Sequence, residues 1–241
     1  MIRFVDSTGP FVLPTNWREV TTRQWCELAK TDRHAITFED VERVFIGRSV
    51  QDNDAMLSPV FFLSEEPPTE EGLPYPADLG QETYLQVDTI FRLLRENSLA
   101  DCFASVYGVF VQRKQELSGS GQFNMERAAR RGEVCLGYPI SETYPAVKHC
   151  LAEVKRLQHI YQRLGEPDET PEGQDHRAAG NERFDKYNYF NVLKRVAQDY
   201  HTSPDVVAQW PYDTVATHLL HERDSYEFQQ ALRDLRKTKQ Q

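Results

Sequence analysis

Tyr187-Asn188-Tyr189-Phe190-Asn191-Val192-Leu193-Lys194-Arg195-Val196-Ala197 leads into Asp199-Tyr200-His201-Thr202-Ser203-Pro204 and closes on Trp210-Pro211-Tyr212-Asp213. Tyr187, Phe190, Leu193, Val196 and Ala197 fall at helical spacing, so the first part reads as an amphipathic helix. Asp199 to Thr202 breaks it, and Ser203-Pro204 restarts the chain, because proline is preset for a first helical turn. Val206, Val207 and Trp210 make this second helix short, Pro211 stops it, and Asp213 opens a third through Val215 and Leu219. Three helices in close succession, punctuated by turn residues, place the chain in the mainly α class.

Outward from there the same reading holds. Ser141 caps a long helix towards Leu164, with Tyr144, Val147, Leu151, Val154 and Tyr161 on one stripe. Gln81 to Asn97 is a helix through Tyr84, Val87, Phe91 and Leu94. Leu99 to Gln115 is another, and Met125 to Arg131 a shorter one. Thr21-Thr22-Arg23-Gln24 has the form of a capping box, and Thr37 to Asp40 caps the next helix. A third short helix is expected around Met56 to Phe62. At the start, Ile2, Phe4, Phe11 and Leu13 flank Asp6-Ser7-Thr8-Gly9, which reads as a small β-hairpin. The expected fold is therefore short amphipathic helices packed in pairs, with a small N-terminal β-hairpin.

Two polar stretches suggest boundaries, Ser64 to Pro74 and Glu166 to Glu182. The resulting order is 1–63, a hairpin with a helical unit; 64–77, a Pro/Glu-rich linker; 78–165, a central helical region; 166–182, a polar linker; and 183–241, a C-terminal helical unit. Helix pairs recur after these breaks, without a repeat regular enough for a solenoid.

The 241 residues carry a net charge of -9, 39% hydrophobic and 27% charged residues, and a mean hydropathy of -0.63. An acidic chain has no overall attraction for nucleic acid or anionic lipid. No apolar run approaches the roughly 20 residues of a membrane span, and Met1 to Asp6 lacks the form of a signal peptide. Cys26, Cys102, Cys135 and Cys150 are widely spaced, which reads as buried free thiols in a reducing cytoplasm. Between Ser49 and Phe91 nine acidic residues stand without one Lys or Arg, a solvated face or a surface for a basic partner.

The candidate chemistries fail one by one. His218 and His221 share a helical face beside Glu222, but two imidazoles fall short of a zinc site and the order is not that of a metalloprotease. His149 and Cys150 point about 100° apart on a helix. Ser118-Gly119-Ser120-Gly121 lacks the Lys and Ser/Thr of a phosphate loop. The Leu193–Trp210 stretch has helix-turn-helix form, but its second helix, Pro204 to Trp210, carries no cation to meet phosphate or guanine. The residues thus assign no catalytic group, metal or cofactor, and the chain is not expected to be an enzyme. What remains is aromatic: Tyr187, Tyr189, Phe190, Trp210, Tyr212 and Tyr226 crowd into one small unit. Some of them belong to the core and others are candidates for binding another protein.

Three stretches carry a family resemblance. Leu13-Pro14-Thr15-Asn16-Trp17-Arg18-Glu19-Val20-Thr21-Thr22-Arg23-Gln24-Trp25 and Asp78-Leu79-Gly80-Gln81-Glu82-Thr83-Tyr84-Leu85-Gln86 are similar to segments of helical tail accessory proteins of tailed bacteriophages. Tyr189 to Ala197 followed by Ser203 to Trp210 resembles the helix-turn-helix tail of phage tail assembly chaperones. The resemblance implies a non-catalytic factor in phage or prophage tail assembly that binds the tape-measure or tube protein in the host cytoplasm, with self-association as a further option. A structural tail component retained in the virion and a helix-turn-helix DNA-binding regulator are the alternatives.

Overall fold

A computed structural model describes residues 1–6, 9–30, 37–46, 67, 75–111, 122–166, 174–175, 178–180, 183 and 186–238. Strands β1 (Ile2–Asp6) and β2 (Gly9–Leu13) form an antiparallel pair with Ile2 opposite Leu13 and Asp6 opposite Gly9. The helices are α1 (Thr22–Ala29), α2 (Phe38–Val41, running into a π-helical turn at Glu42–Ile46), α3 (Tyr84–Glu96), α4 (Leu99–Phe110) and α5 (Met125–Cys135). They continue with α6 (Ile140–Ile160), α7 (Asn188–Asp199), α8 (Pro204–Ala208) and α9 (Tyr212–Thr238). The mainly α expectation holds. The helix expected at Met56 to Phe62 and the loop at Ser118 to Gly121 lie outside the described residues, as do most of the two polar stretches.

The chain divides into two compact units, each built from two separate segments. One comprises Met1–Pro76 and Thr89–Leu151, the other Ala77–Asp88 and Ala152–Gln241, so the division falls inside α3 and α6. Long helices allow this, because a helix can contribute its two ends to different cores.

In the first unit Trp25 is the centre of the packing. Its ring meets Phe103 at 4.9 Å and Tyr144 edge-on at 5.7 Å. The expected capping box starts α1: the Thr21 hydroxyl accepts from Gln24 N, and Gln24 Oε1 accepts from Thr21 N at 2.9 Å. That fixes the register in which Trp25, Cys26 and Leu28 are all buried. Helices α4 and α5 approach closely at two glycines. A Cβ on Gly108 would lie 2.2 Å from the Ala128 carbonyl oxygen, and one on Gly132 would lie 2.7 Å from that of Ala104.

A backbone clasp closes each unit, and the two clasps match. In the first, the one-turn helix Trp17–Glu19 is capped by Asn16, whose side chain accepts from Arg18 N at 3.0 Å. Thr21 then bridges Pro139, with Thr22 N donating to Tyr138 O and Ile140 N to Val20 O, both at 2.8 Å. In the second, Leu79–Gln81 is capped by Asp78, which accepts from Gly80 N at 2.9 Å. Thr83 bridges Pro211, with Tyr84 N donating to Trp210 O and Tyr212 N to Glu82 O, again at 2.8 Å. The spacing from Asn16 to Thr21 equals that from Asp78 to Thr83, and each clasp launches a long helix directly after an aromatic-proline pair. The chain therefore repeats one structural device.

Candidate protein-binding surface

The second unit has a small core. Leu193, Val196 and Ala197 of α7 pack with Val207 and Ala208 of α8, Val215 of α9 and Tyr84. Full burial of a Leu or Val side chain contributes about 1.5–3 kcal/mol, enough for a few such residues to dock a short helix. The turn between α7 and α8 is a Schellman-type closure: Thr202 N donates to Ala197 O at 2.9 Å, and His201 adopts φ 52°. That left-handed conformation is the one usually taken by glycine at this position.

The six candidate aromatic residues divide in two. Tyr189, Trp210 and Tyr212 are packed against the core. Tyr84 stacks on Tyr189 at 6.0 Å and on Tyr212 at 5.6 Å, and Tyr161 meets Tyr212 edge-on at 5.8 Å. Burial pushes the Tyr212 hydroxyl up to about 12 and raises that of Tyr84 as well. These rings hold the unit together. Tyr187, Phe190 and Tyr226 are exposed, at 49%, 55% and 40%.

Phe228 and Leu235 join them, the two most exposed large apolar side chains of α9 at 60% and 59%. Of the 27 residues of this helix only Val215 and Ala216 are buried. Phe228, Ala231, Leu232 and Leu235 recur at i, i+3, i+4 and i+7, which gives the outer part of α9 an apolar stripe. The spacing was readable in the sequence; that no other described part of the unit covers it was not.

Ion pairs steady the middle of α9. Arg163 reaches Asp224 at 2.5 Å and Glu227 at 2.7 Å, and Arg223 bonds Glu227 at 2.9 Å and the Arg163 carbonyl. The hydrogen bond from Arg223, with both guanidinium groups nearby, holds the Glu227 carboxyl below its ordinary range. Near the start of α9, Asp213 accepts from the Tyr161 hydroxyl at 3.0 Å.

The other candidates are placed as follows. His218 faces Asp199 and Glu222, whereas His221 is exposed and outside this group. All four cysteines are free and buried, and burial raises the Cys26 and Cys135 thiols to about 12, so they are protonated and unreactive at neutral pH. His149 packs against the rings of Tyr75 and Phe110 at 5.0 and 6.0 Å. Helix α8 has five residues, places Val207 and Ala208 in the core, and carries no cation. Among the described residues no helix is long and apolar enough to cross a membrane. The chain matches no family model, no curated protein and no solved structure.

Proposed function

We propose that this chain is a non-catalytic protein-binding factor, acting in phage or prophage tail assembly in the host cytoplasm through contacts with the tape-measure or tube protein. The observation that carries the binding part of this reading is the outer half of α9, where Phe228 and Leu235 stand largely exposed on an apolar stripe. Tyr187, Phe190 and Tyr226 extend the exposed apolar surface of the same unit. Large apolar groups held in water are characteristic of surfaces that meet another polypeptide. A surface of this kind covers apolar segments of an unassembled partner and keeps that partner from associating prematurely.

The phage assignment is supported by the three stretches that resemble segments of phage tail accessory proteins and of tail assembly chaperones. Two of them, Leu13 to Trp25 and Asp78 to Gln86, contain the Asn16–Thr21 and Asp78–Thr83 halves of the repeated clasp. Co-expression with phage tape-measure and tube polypeptides tests the reading. A soluble complex that forms with one of them and is lost in Phe228→Ser/Leu235→Ser is the expected result. Failure to associate with either polypeptide overturns the assignment.

A further inference from the structure

We propose that Asp199, His218 and Glu222 form a binding site for one zinc-class divalent cation, joining the end of α7 to α9. The three side chains offer one ligand atom each, and these atoms lie within 4.8 Å of one another. His218 Nε2 is 2.9 Å from Asp199 Oδ2 and 3.6 Å from Glu222 Oε2. Neighbouring ligands of a tetrahedral zinc ion, with bonds near 2.0–2.1 Å, stand about 3.4 Å apart. The two distances straddle that value, so side-chain shifts of a few tenths of an ångström bring these contacts to zinc geometry.

Hydrogen bonding alone leaves the group incompletely satisfied. One imidazole nitrogen has at most one proton to donate, yet two carboxylate oxygens face it. Glu222 Oε2 is shut off from solvent and ion-paired with Arg195 Nε at 2.9 Å. Arg195 Nε also donates to Glu222 Oε1 at 3.1 Å. Arg195 thus lies against both oxygens of Glu222 and fixes the carboxylate beside His218, the role an outer partner plays at metal sites. His218 and Glu222 are one helical turn apart on α9, and Asp199 comes from the last position of α7. The Tyr200 ring, 5.2 Å from the imidazole and itself edge-on to Trp210, screens one side of the group.

The chemistry of the set defines its ligand. One imidazole and two carboxylates, without a thiolate, suit zinc and its borderline neighbours better than copper(I) or calcium. Arg195 offsets one of the two carboxylate charges, which makes the site weaker than a closed four-ligand structural zinc site. Three protein ligands leave a position for water. The role that follows is a staple between α7 and α9, below the exposed stripe of α9.

The test uses the full chain, stripped with chelator and titrated with Zn²⁺ by calorimetry, with the melting temperature followed in parallel. One equivalent should bind and raise the melting temperature. His218→Ala should weaken binding at least tenfold, Asp199→Asn should weaken it too, and His221→Ala should leave it unchanged. If His218→Ala does not fold, His218→Gln replaces it in the comparison. Co²⁺ bound to the native chain should show visible bands of an N/O site without thiolate charge transfer. Absence of saturable binding, zinc binding that survives loss of His218, or a thiolate-type cobalt spectrum would each overturn the proposal.

Discussion

Single residues set how closely elements pack. Gly108 faces backbone, with the Ala128 carbonyl oxygen 2.2 Å and the Gly132 nitrogen 2.7 Å from a hypothetical Cβ. Backbone cannot swing away as a side-chain tip can. Gly108→Ala should therefore cost about 1–3 kcal/mol, read as a lower urea midpoint, and an unchanged midpoint would mean that α4 and α5 separate easily. The buried thiols give a second prediction. Their folded pKa values are raised to about 12, so the folded state retains protons that the unfolded chain releases. The stability tied to these groups is thus complete below the ordinary thiol pKa and lost as pH rises through about 9 to 12. Unfolding monitored from pH 8 to 11 should show that decline, with a shallower slope in Cys26→Ala. The thiols of Cys26 and Cys135 should also react slowly with a disulfide reagent at pH 8 until denaturant is added.

At the level of elements, the repeated clasp predicts paired effects. Thr21 and Thr83 each cap a helix through the hydroxyl, which accepts from Gln24 N at 3.3 Å and Gln86 N at 3.2 Å. Replacing either by Ala should cost about 0.5–2 kcal/mol, with similar losses at the two sites in thermal melts. His201→Gly should stabilise the chain by about 1 kcal/mol, because a left-handed backbone is costly for a residue with a Cβ; a lower melting temperature would contradict this. Much of the helical layout was legible. Gln24 three residues after Thr21 announced the capping box, Pro204 announced the start of α8, and Asp213 came within one residue of the start of α9. The clasp itself was not. The Thr83–Pro211 bridge is held by backbone bonds of their neighbours, Tyr84 N to Trp210 O and Tyr212 N to Glu82 O, and such groups carry no side-chain signal across a long stretch of chain. The Asp199–His218–Glu222 group was missed for a related reason. Reading along one helix face pairs His218 with His221, whereas the third partner comes from another helix.

At the scale of the molecule, the account rests on surface left uncovered. The abundance of Tyr and Trp near the C-terminus indicated more aromatic area than a small unit can enclose. It did not separate Tyr212, which holds the core, from Phe228, which stands clear of it. That distinction needs the path of α9, because identical periodicity serves a buried stripe and a binding stripe. Phe228→Ser and Leu235→Ser should change the unfolding free energy by less than about 0.5 kcal/mol, as is usual for exposed positions. The decisive measurement is a calorimetric titration of the tape-measure or tube polypeptide into the native chain and into Phe228→Ser/Leu235→Ser. The account predicts binding to the native chain and at least tenfold weaker binding to the variant, with equal melting temperatures. Equal binding by the two proteins, or binding by neither, would contradict it.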